Sequence, residues 1–343
     1  MRAVTVSAYG GPEVFEVTEV AEPIAGAGQV LIKVAVSGIN FLDARARVGR
    51  LSGDLPYVAG VECAGTVAAV GAGVDGFTVG QRVCAVNVAG AHAEYAVAEA
   101  SRVLAIPAEL GLDTACAALV QGLTGHYLTH DTYPVQPGDT VLVHAAAGGT
   151  GSMVTQFAKA RGGRVIATVS SDAKEEIARA AGADEVLRYG PCDQLAAEVR
   201  KLTDGVGVAA SYDGVGASTF DASLAALRAR GVLVLYGEPS GIVPPFDLTR
   251  LVDGGEVRNT VARRTDIGSL YVTRPSLVHH INPPHRLVSR AEAVFRAVAA
   301  GEVRIRIGGR YPLDEVVRAY QDLEGRSSTG KLLLIVNPTG EAS

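Results

Sequence analysis

Tryptophan is absent from the 343-residue sequence, and aromatic residues of all kinds make up only 5% of it. Four cysteines are present, Cys63, Cys84, Cys116 and Cys192; none forms a C-x-x-C pair and none has histidine at ligand spacing. That spacing argues against a disulfide framework or a structural zinc site and predicts four buried, small apolar side chains. No apolar run approaches the roughly 18 residues of a membrane span. The opening stretch MRAVTVSAYGGPEVFEV lacks the charged, apolar and cleavage regions of a secretory signal, so the expected compartment is cytoplasmic. Positive charge is not in excess either. The net charge of −5 argues against nucleic acid as a partner, and no membrane partner is expected.

What is present suits a packed protein: 48% of residues are hydrophobic and 20% charged. At about 150 residues per domain the length suggests two domains. The 41 glycines fit many tight turns and close backbone approaches.

Residues 1–120 read mostly as β structure. The segments 29–40, 62–71 and 81–88 are rich in β-branched residues and are separated by Gly-rich turns, which predicts a compact, partly closed β domain. Residues 107–130 read as helix. From Gly138 strand and helix alternate, with strands expected at 140–146, 164–169, 185–187, 208–212 and 231–236 and helices at 152–161, 173–181, 194–202 and 219–227. The run TVLVHAA has no polar alternation, as expected of a parallel strand buried on both faces. This order predicts an α/β domain with a doubly wound parallel sheet. A helix at 289–300, a strand at 304–307, a helix at 313–323 and a strand at 331–336 close the chain. The predicted boundaries are 1–124 with 270–343 for the β-rich domain and 125–269 for the nucleotide domain.

The most informative stretch joins the strand ending Ala145-Ala146-Ala147 to a helix through Gly148, Gly149, Thr150 and Gly151. A turn, a close approach to a pyrophosphate and tight helix–strand packing all call for glycine, and the helix N-terminus favours an anion. NAD enzymes usually place a carboxylate at the end of the next strand, to hold the ribose hydroxyls. Here that position reads Val169-Ser170-Ser171. Lys174 follows, and Tyr189 closes the third strand. The missing carboxylate and nearby lysine predict NADPH. Asp172 is expected to cap the helix beginning at Ala173.

These residues, with VSGINFLDARARVG (36–49), AGVE (59–62), GAHAEYAV (90–97), QGLTGHYL (121–128), YDGVG (212–216), GSLYVTRPSL (268–277) and RSSTGKLLL (326–334), give a whole-chain resemblance. The sequence resembles the zinc-free, zeta-crystallin-like quinone oxidoreductases among the medium-chain dehydrogenase/reductases. The resemblance implies a GroES-like β-rich catalytic domain, a Rossmann domain, an active cleft between them and a homodimer paired through the Rossmann sheets. It implies that Asn40 and Asp43 line the nicotinamide side as the catalytic pair, and that Gly148, Gly149, Thr150 and Gly151 hold the pyrophosphate. Ser170, Lys174 and Tyr189 would surround the 2′-phosphate. Thr124, Gly214, Tyr236, Gly237, Val272, Thr273 and Arg326 would complete the cofactor site. Two departures stand out. Residues 252–267, carrying Arg258, Arg263 and Arg264, exceed the usual length, and Gln121 stands where some relatives carry lysine.

Zinc-dependent members use Cys, His and a further Cys or Asp as ligands. Here the first position reads Asn40, the Gly-His-Glu triplet reads Gly60-Val61-Glu62, and the third ligand is missing around Gln121. No metal is expected. Hydride must then go to a small-molecule acceptor that stabilises negative charge itself, a quinone or an enone. Tyr57, Tyr95, Tyr127 and Tyr271 are candidate proton donors, and no general acid is assigned among them. The leading expectation is an NADPH:quinone reductase. The alternatives are an NADPH-dependent enoyl or enone reductase of secondary metabolism, with the 252–267 arginines meeting a phosphate-bearing thioester or carrier protein, and a non-catalytic NADPH-binding protein.

Overall fold

A computed structural model describes residues 1–51, 54–252 and 268–337, without the side chains of Cys192 and Asp193. The 252–267 insertion, with its three arginines, therefore lies outside the described residues save Val252. The chain forms two compact units.

The first unit opens with β1 (Arg2–Val6), β2 (Phe15–Glu19), β3 (Gln29–Gly38), α1 (Phe41–Arg47), β4 (Tyr57–Val58), β5 (Glu62–Val70), β6 (Arg82–Val86), β7 (Tyr95–Glu99), β8 (Val103–Ala105) and most of α2 (Leu112–Tyr127). The second holds β9 (Thr140–Val143), α3 (Gly149–Ala160), β10 (Arg164–Val169), α4 (Asp172–Ala180), β11 (Glu185–Arg188), α5 (Cys192–Lys201), β12 (Val208–Asp213), α6 (Phe220–Ala225), β13 (Leu227–Leu235), β14 (Tyr271–Thr273) and α7 (Leu277–His280). The chain then returns to the first unit with α8 (His285–Ala299), β15 (Ile307–Pro312), α9 (Val316–Glu324) and β16 (Lys331–Ile335).

The first unit is β-rich, as its short apolar runs and turns predict. A three-stranded sheet runs β2-β1-β4, and a seven-stranded sheet runs β15-β16-β3-β5-β6-β8 with β7 also on β3. The ten-residue β3 is buried nearly throughout, because β5, β7 and β16 all pair with it. Its register shifts at two bulges against β5, which lets one strand serve several neighbours.

The second unit is a six-stranded sheet in the order β11-β10-β9-β12-β13-β14, every pair parallel. Alternate residues go to opposite faces. Val141, Val143, Val165 and Ala167 meet α3 and α4 through Val154, Ala158 and Ala178. Leu142 and Ile166 meet α5 and α6 through Leu195, Val199, Phe220 and Leu224. Both faces are covered, so the continuous apolar strands of the sequence are explained. The strand order reverses between β9 and β12, which in a doubly wound sheet opens a crevice beyond the C-terminal strand ends.

Several boundaries differ from expectation. The return to the first unit falls at Ile281, not residue 270, because β14 pairs with β13 and stays in the second unit. The first boundary falls after Leu123. The strand expected at 304–307 begins at Ile307, where pairing with Lys331 starts. Cys63, Cys84 and Cys116 are buried free thiols, and burial pushes Cys63 up to about 12, far from a nucleophilic thiolate. No described helix is long and apolar enough to cross a membrane.

Candidate active site

The loop after β9 sits at the point where the strand order reverses. Its entry is a left-handed residue, Ala145, with φ of 50°. That residue is pinned on both sides: its N–H donates to the Tyr189 hydroxyl at 2.8 Å, and its carbonyl accepts the Gly148 N–H at 2.9 Å. Helix α3 begins at Gly149, earlier than the residue 152 expected from helix propensity. A Cβ on Gly151 would lie 2.3 Å from the Ala145 oxygen, so only glycine lets helix and loop approach this closely. No side chain caps α3 and no acidic residue lies in its first turn. Its first amides have no intrahelical acceptors and form the positive end of the helix dipole. Gly148, Gly149, Thr150 and Gly151 thus form a cradle that fits a pyrophosphate.

Beneath the loop runs a fully buried chain of side chains. The Ser223 hydroxyl donates to Asp213 Oδ2 at 2.6 Å, so its oxygen accepts from His144 Nε2 at 2.9 Å, leaving Nδ1 to accept the Thr168 hydroxyl at 2.9 Å. Burial lowers the His144 pKa, against the opposing charge of Asp213, in keeping with this neutral tautomer. Asp213 Oδ1 accepts the N–H groups of Val215 and Gly216 and the Thr219 hydroxyl. The chain ties the ends of β9, β10 and β12 to α6 and shapes the turn holding Gly214. Its only signal in the sequence is a polar residue within each of several apolar strands.

Most of the other expected cofactor residues of this unit lie at or just past the C-terminal strand ends, with Lys174 on α4 and Thr124 on α2. Ser170 is exposed just past β10, and Lys174 Nζ donates to its hydroxyl at 3.3 Å. Tyr189 follows β11 and stacks on His144. Gly214 follows β12, where a Cβ would strike the Tyr236 ring at 2.6 Å, and Gly237 is held as closely against the Gly214 carbonyl. Val272 and Thr273 are half-buried on β14. Thr124 is half-buried on α2, next to Gly125, whose Cβ would meet Met153 of α3 at 2.6 Å. Asp172 is not the cap: α4 starts at Asp172 itself with Ser171 before it, and the carboxylate pairs with Arg188. Arg188, which the sequence reading missed, also binds Glu175 at 2.8 Å and the Ser171 carbonyl. Its signal was a second cation, next to Tyr189 at the end of the third strand.

In the first unit Asn40 and Asp43 are brought together, but not as exposed groups. Asp43 is 4% exposed; its Oδ2 accepts the Asn40 N–H at 3.0 Å, and the carboxyl is also hydrogen-bonded to Tyr320. Burial raises its pKa to about 7. His92 beside it bonds Ser37 at 2.6 Å and Tyr320 at 2.8 Å and is pushed down to about 3 by burial, so it stays neutral. In this arrangement the carboxyl ties α1 to its neighbours.

Asn40 is engaged in the same way. Its Nδ2 donates to the Gly38 carbonyl at 3.1 Å and to Glu62 Oε1 at 2.9 Å, while its Oδ1 accepts from Gln121 Nε2 and Lys331 Nζ, both at 2.9 Å. Two donors and two acceptor sites are a carboxamide's whole capacity, so nothing remains to orient a ligand. Lys331 is buried against Glu62 at 2.5 Å, with its third bond to the Ile39 carbonyl; Glu62 Oε2 accepts the Val120 N–H at 3.0 Å. Neither Lys331 nor Glu62 stood out as a pair in the sequence. Arg326 is exposed beyond α9 with φ of 58°. Among the candidate proton donors, Tyr127 is buried and stacked on His280, Tyr271 is exposed on β14, and burial raises the Tyr57 pKa. Among the described residues no group of three or more His, Cys, Asp or Glu is placed to hold a metal.

Comparison with known proteins agrees along the whole chain. Residues 26–108 match the alcohol dehydrogenase GroES-like domain, and residues 149–268 match the zinc-binding dehydrogenase family. A quinone oxidoreductase of Pseudomonas aeruginosa is 37% identical over 336 residues, covering 97% of this chain and 99% of its own. A 2-haloacrylate reductase of a Burkholderia species is 36% identical over 340 residues, covering 97% and 98%. A mycobacterial protein solved in complex with NADPH superposes with a TM-score of 0.93 at 44% identity, covering 98% of this chain and all of that one.

Proposed function

Because the chain belongs to the quinone oxidoreductase branch of the medium-chain dehydrogenase/reductases, we propose that it is an NADPH-dependent reductase of quinones. The observation that carries this reading is the uncapped N-terminus of α3 above Gly148–Gly151, with Ser170, Lys174 and Arg188 beyond it and no carboxylate at the end of β10. The cradle receives the pyrophosphate through backbone amides and the helix dipole. Lys174 and Ser170 supply charge and a hydroxyl to a 2′-phosphate, where an acidic residue would repel it. Tyr189 fixes the left-handed turn at Ala145, and Gly214 and Gly237 keep the β12 and β13 ends close together.

NADPH, when bound, supplies the hydride. The quinone takes up that hydride and one proton and leaves as the hydroquinone, carrying the developing charge on its own conjugated oxygens. The chain supplies no Cys or His where zinc-dependent relatives bind their metal: the first two places hold Asn40 and Val61, the third falls around Gln121, and the buried Lys331 ammonium bonds Asn40. Activity is therefore expected to survive exhaustive chelation. We further propose that the protein is cytoplasmic and pairs as a homodimer through β14, which among the described residues is an edge strand with Tyr271 exposed.

The test follows NADPH consumption against a panel of benzoquinones and naphthoquinones. Turnover with NADPH favoured over NADH is expected; binding of neither dinucleotide would overturn the reading. The similarity to a 2-haloacrylate reductase favours a second acceptor class, alkenes polarised by a carboxylate or carbonyl, and 2-haloacrylate belongs in the same panel.

A further inference from the structure

Asn40 and Lys331 are closed to ligands, since every polar site of each is spent within the cluster or on backbone, and Glu62 is fully buried with both oxygens engaged. The cluster ends at one residue that is not closed. Gln121 lies on α2, and its side chain is half-buried. Its Nε2 gives one hydrogen bond, to Asn40 Oδ1 at 2.9 Å, although a carboxamide nitrogen has two to give. Its Oε1 is buried and accepts nothing among the described residues. A buried polar atom without a partner is costly and calls for one the protein does not itself provide.

The geometry points to Gln121 as the residue that hydrogen-bonds the acceptor, through the carboxamide hydrogen left over from Asn40. The inference rests on the reductase reading and names the contact that selects the substrate. A carbonyl or carboxylate acceptor needs a donor, which Nε2 offers. A quinone's reduced form carries a hydroxyl that needs an acceptor, which Oε1 on the same group offers, whereas a carboxylate keeps its oxygens on reduction and stays with the donor. One carboxamide thus serves a quinone oxygen in both redox states, which a lysine at this position does not. The orientation comes from behind: Lys331 and Glu62 fix Asn40, and Asn40 fixes the Gln121 nitrogen, so the free hydrogen points one way without cost at the moment of reaction.

The experiment compares wild type, Gln121→Met and Gln121→Glu in the full chain. NADPH affinity is measured by titration, folding by the urea midpoint, and kcat/KM with a quinone over a range of pH. Both variants are expected to keep wild-type NADPH affinity, to lower the midpoint by no more than the lost bond to Asn40, and to lose about 10- to 100-fold in kcat/KM, the effect of one hydrogen bond made to the reacting group. The loss in Gln121→Glu grows as pH rises and its carboxyl ionises, whereas the loss in Gln121→Met does not change. Wild-type kcat/KM in Gln121→Met overturns the inference. So does an equal loss of NADPH affinity, which would give the contact to the cofactor. If one variant fails to fold, the other decides by the same readouts. Absence of quinone turnover in wild type would instead sink the functional reading, a different result from an active enzyme indifferent to Gln121.

Discussion

Replacing Lys331 by methionine tests how the Asn40 cluster is held. The ammonium is 3% exposed, lies 2.5 Å from a Glu62 carboxylate that is itself fully buried, and also bonds Asn40 Oδ1 and the Ile39 carbonyl. Methionine fits a similar volume but strands the Glu62 charge, and two bonds, from Asn40 Nδ2 and the Val120 N–H, are left to compensate it. Breaking one side of a buried pair costs about 3–5 kcal/mol, most of it the penalty of the unpaired ion. Urea unfolding of the full chain, followed by circular dichroism, should show that loss for Lys331→Met. Glu62→Gln combined with Lys331→Met removes the stranded charge, so the double variant should fall short of the summed single losses by about 1–3 kcal/mol. A Lys331→Met variant within about 0.5 kcal/mol of wild type, or strictly additive losses, would refute the assignment of a coupled buried pair.

Three further outcomes follow from the geometry. Gly151→Ala places a Cβ 2.3 Å from the Ala145 oxygen and should weaken NADPH binding at least about tenfold, or about 1.4 kcal/mol; an unchanged dissociation constant by calorimetry would remove the cradle from the cofactor site. Lys174→Glu should cut the preference for NADPH over NADH by about tenfold or more, read as the ratio of the two kcat/KM values; an unaltered ratio rejects the lysine's role. The Asp43 carboxyl is raised by burial from 3.8 to about 7, so folding favours its protonated form. Its contribution is full below pH 4 and is lost as pH rises through 7, a swing of about 4 kcal/mol at 1.36 kcal/mol per unit. Asp43→Asn, which keeps an oxygen for the Asn40 N–H, should flatten that decline in the difference between the two stability-versus-pH curves; parallel curves would contradict the burial argument.

The parallel sheet was legible because each of its central strands is buried on both faces. Arg164–Val169 is mostly apolar and buried from Val165 onward, with Thr168 its one polar interior residue. The cradle was legible because glycine has few other reasons to cluster between such a strand and a helix. What escaped was set by contacts distant in sequence. Asn40 looked like a ligand-facing turn residue because nothing nearby announces that Glu62, Gln121 and Lys331, the last 291 positions away, consume its hydrogen-bonding capacity. Asp172 looked like a cap because Arg188, which draws its side chain off, sits 16 residues on. β13 begins four residues before the expected Gly231 because Val208 pairs with Leu227 ahead of a bulge that only the neighbouring strand imposes.

The buried pair also bears on how the proposed reaction would proceed without a Lewis acid. An ammonium and a carboxylate in the interior roughly cancel, so the cluster brings no net charge to stabilise an alkoxide. A hydrophobic set of equal volume would be as stable or more so, and stability alone does not account for Glu62 and Lys331. What an apolar set could not do is hold two consecutive carboxamides, Asn40 and Gln121, in one orientation. The pair is better understood as a fixed backing for a neutral donor. A neutral donor suffices only where the acceptor spreads its own charge, and that restricts the reaction to conjugated acceptors.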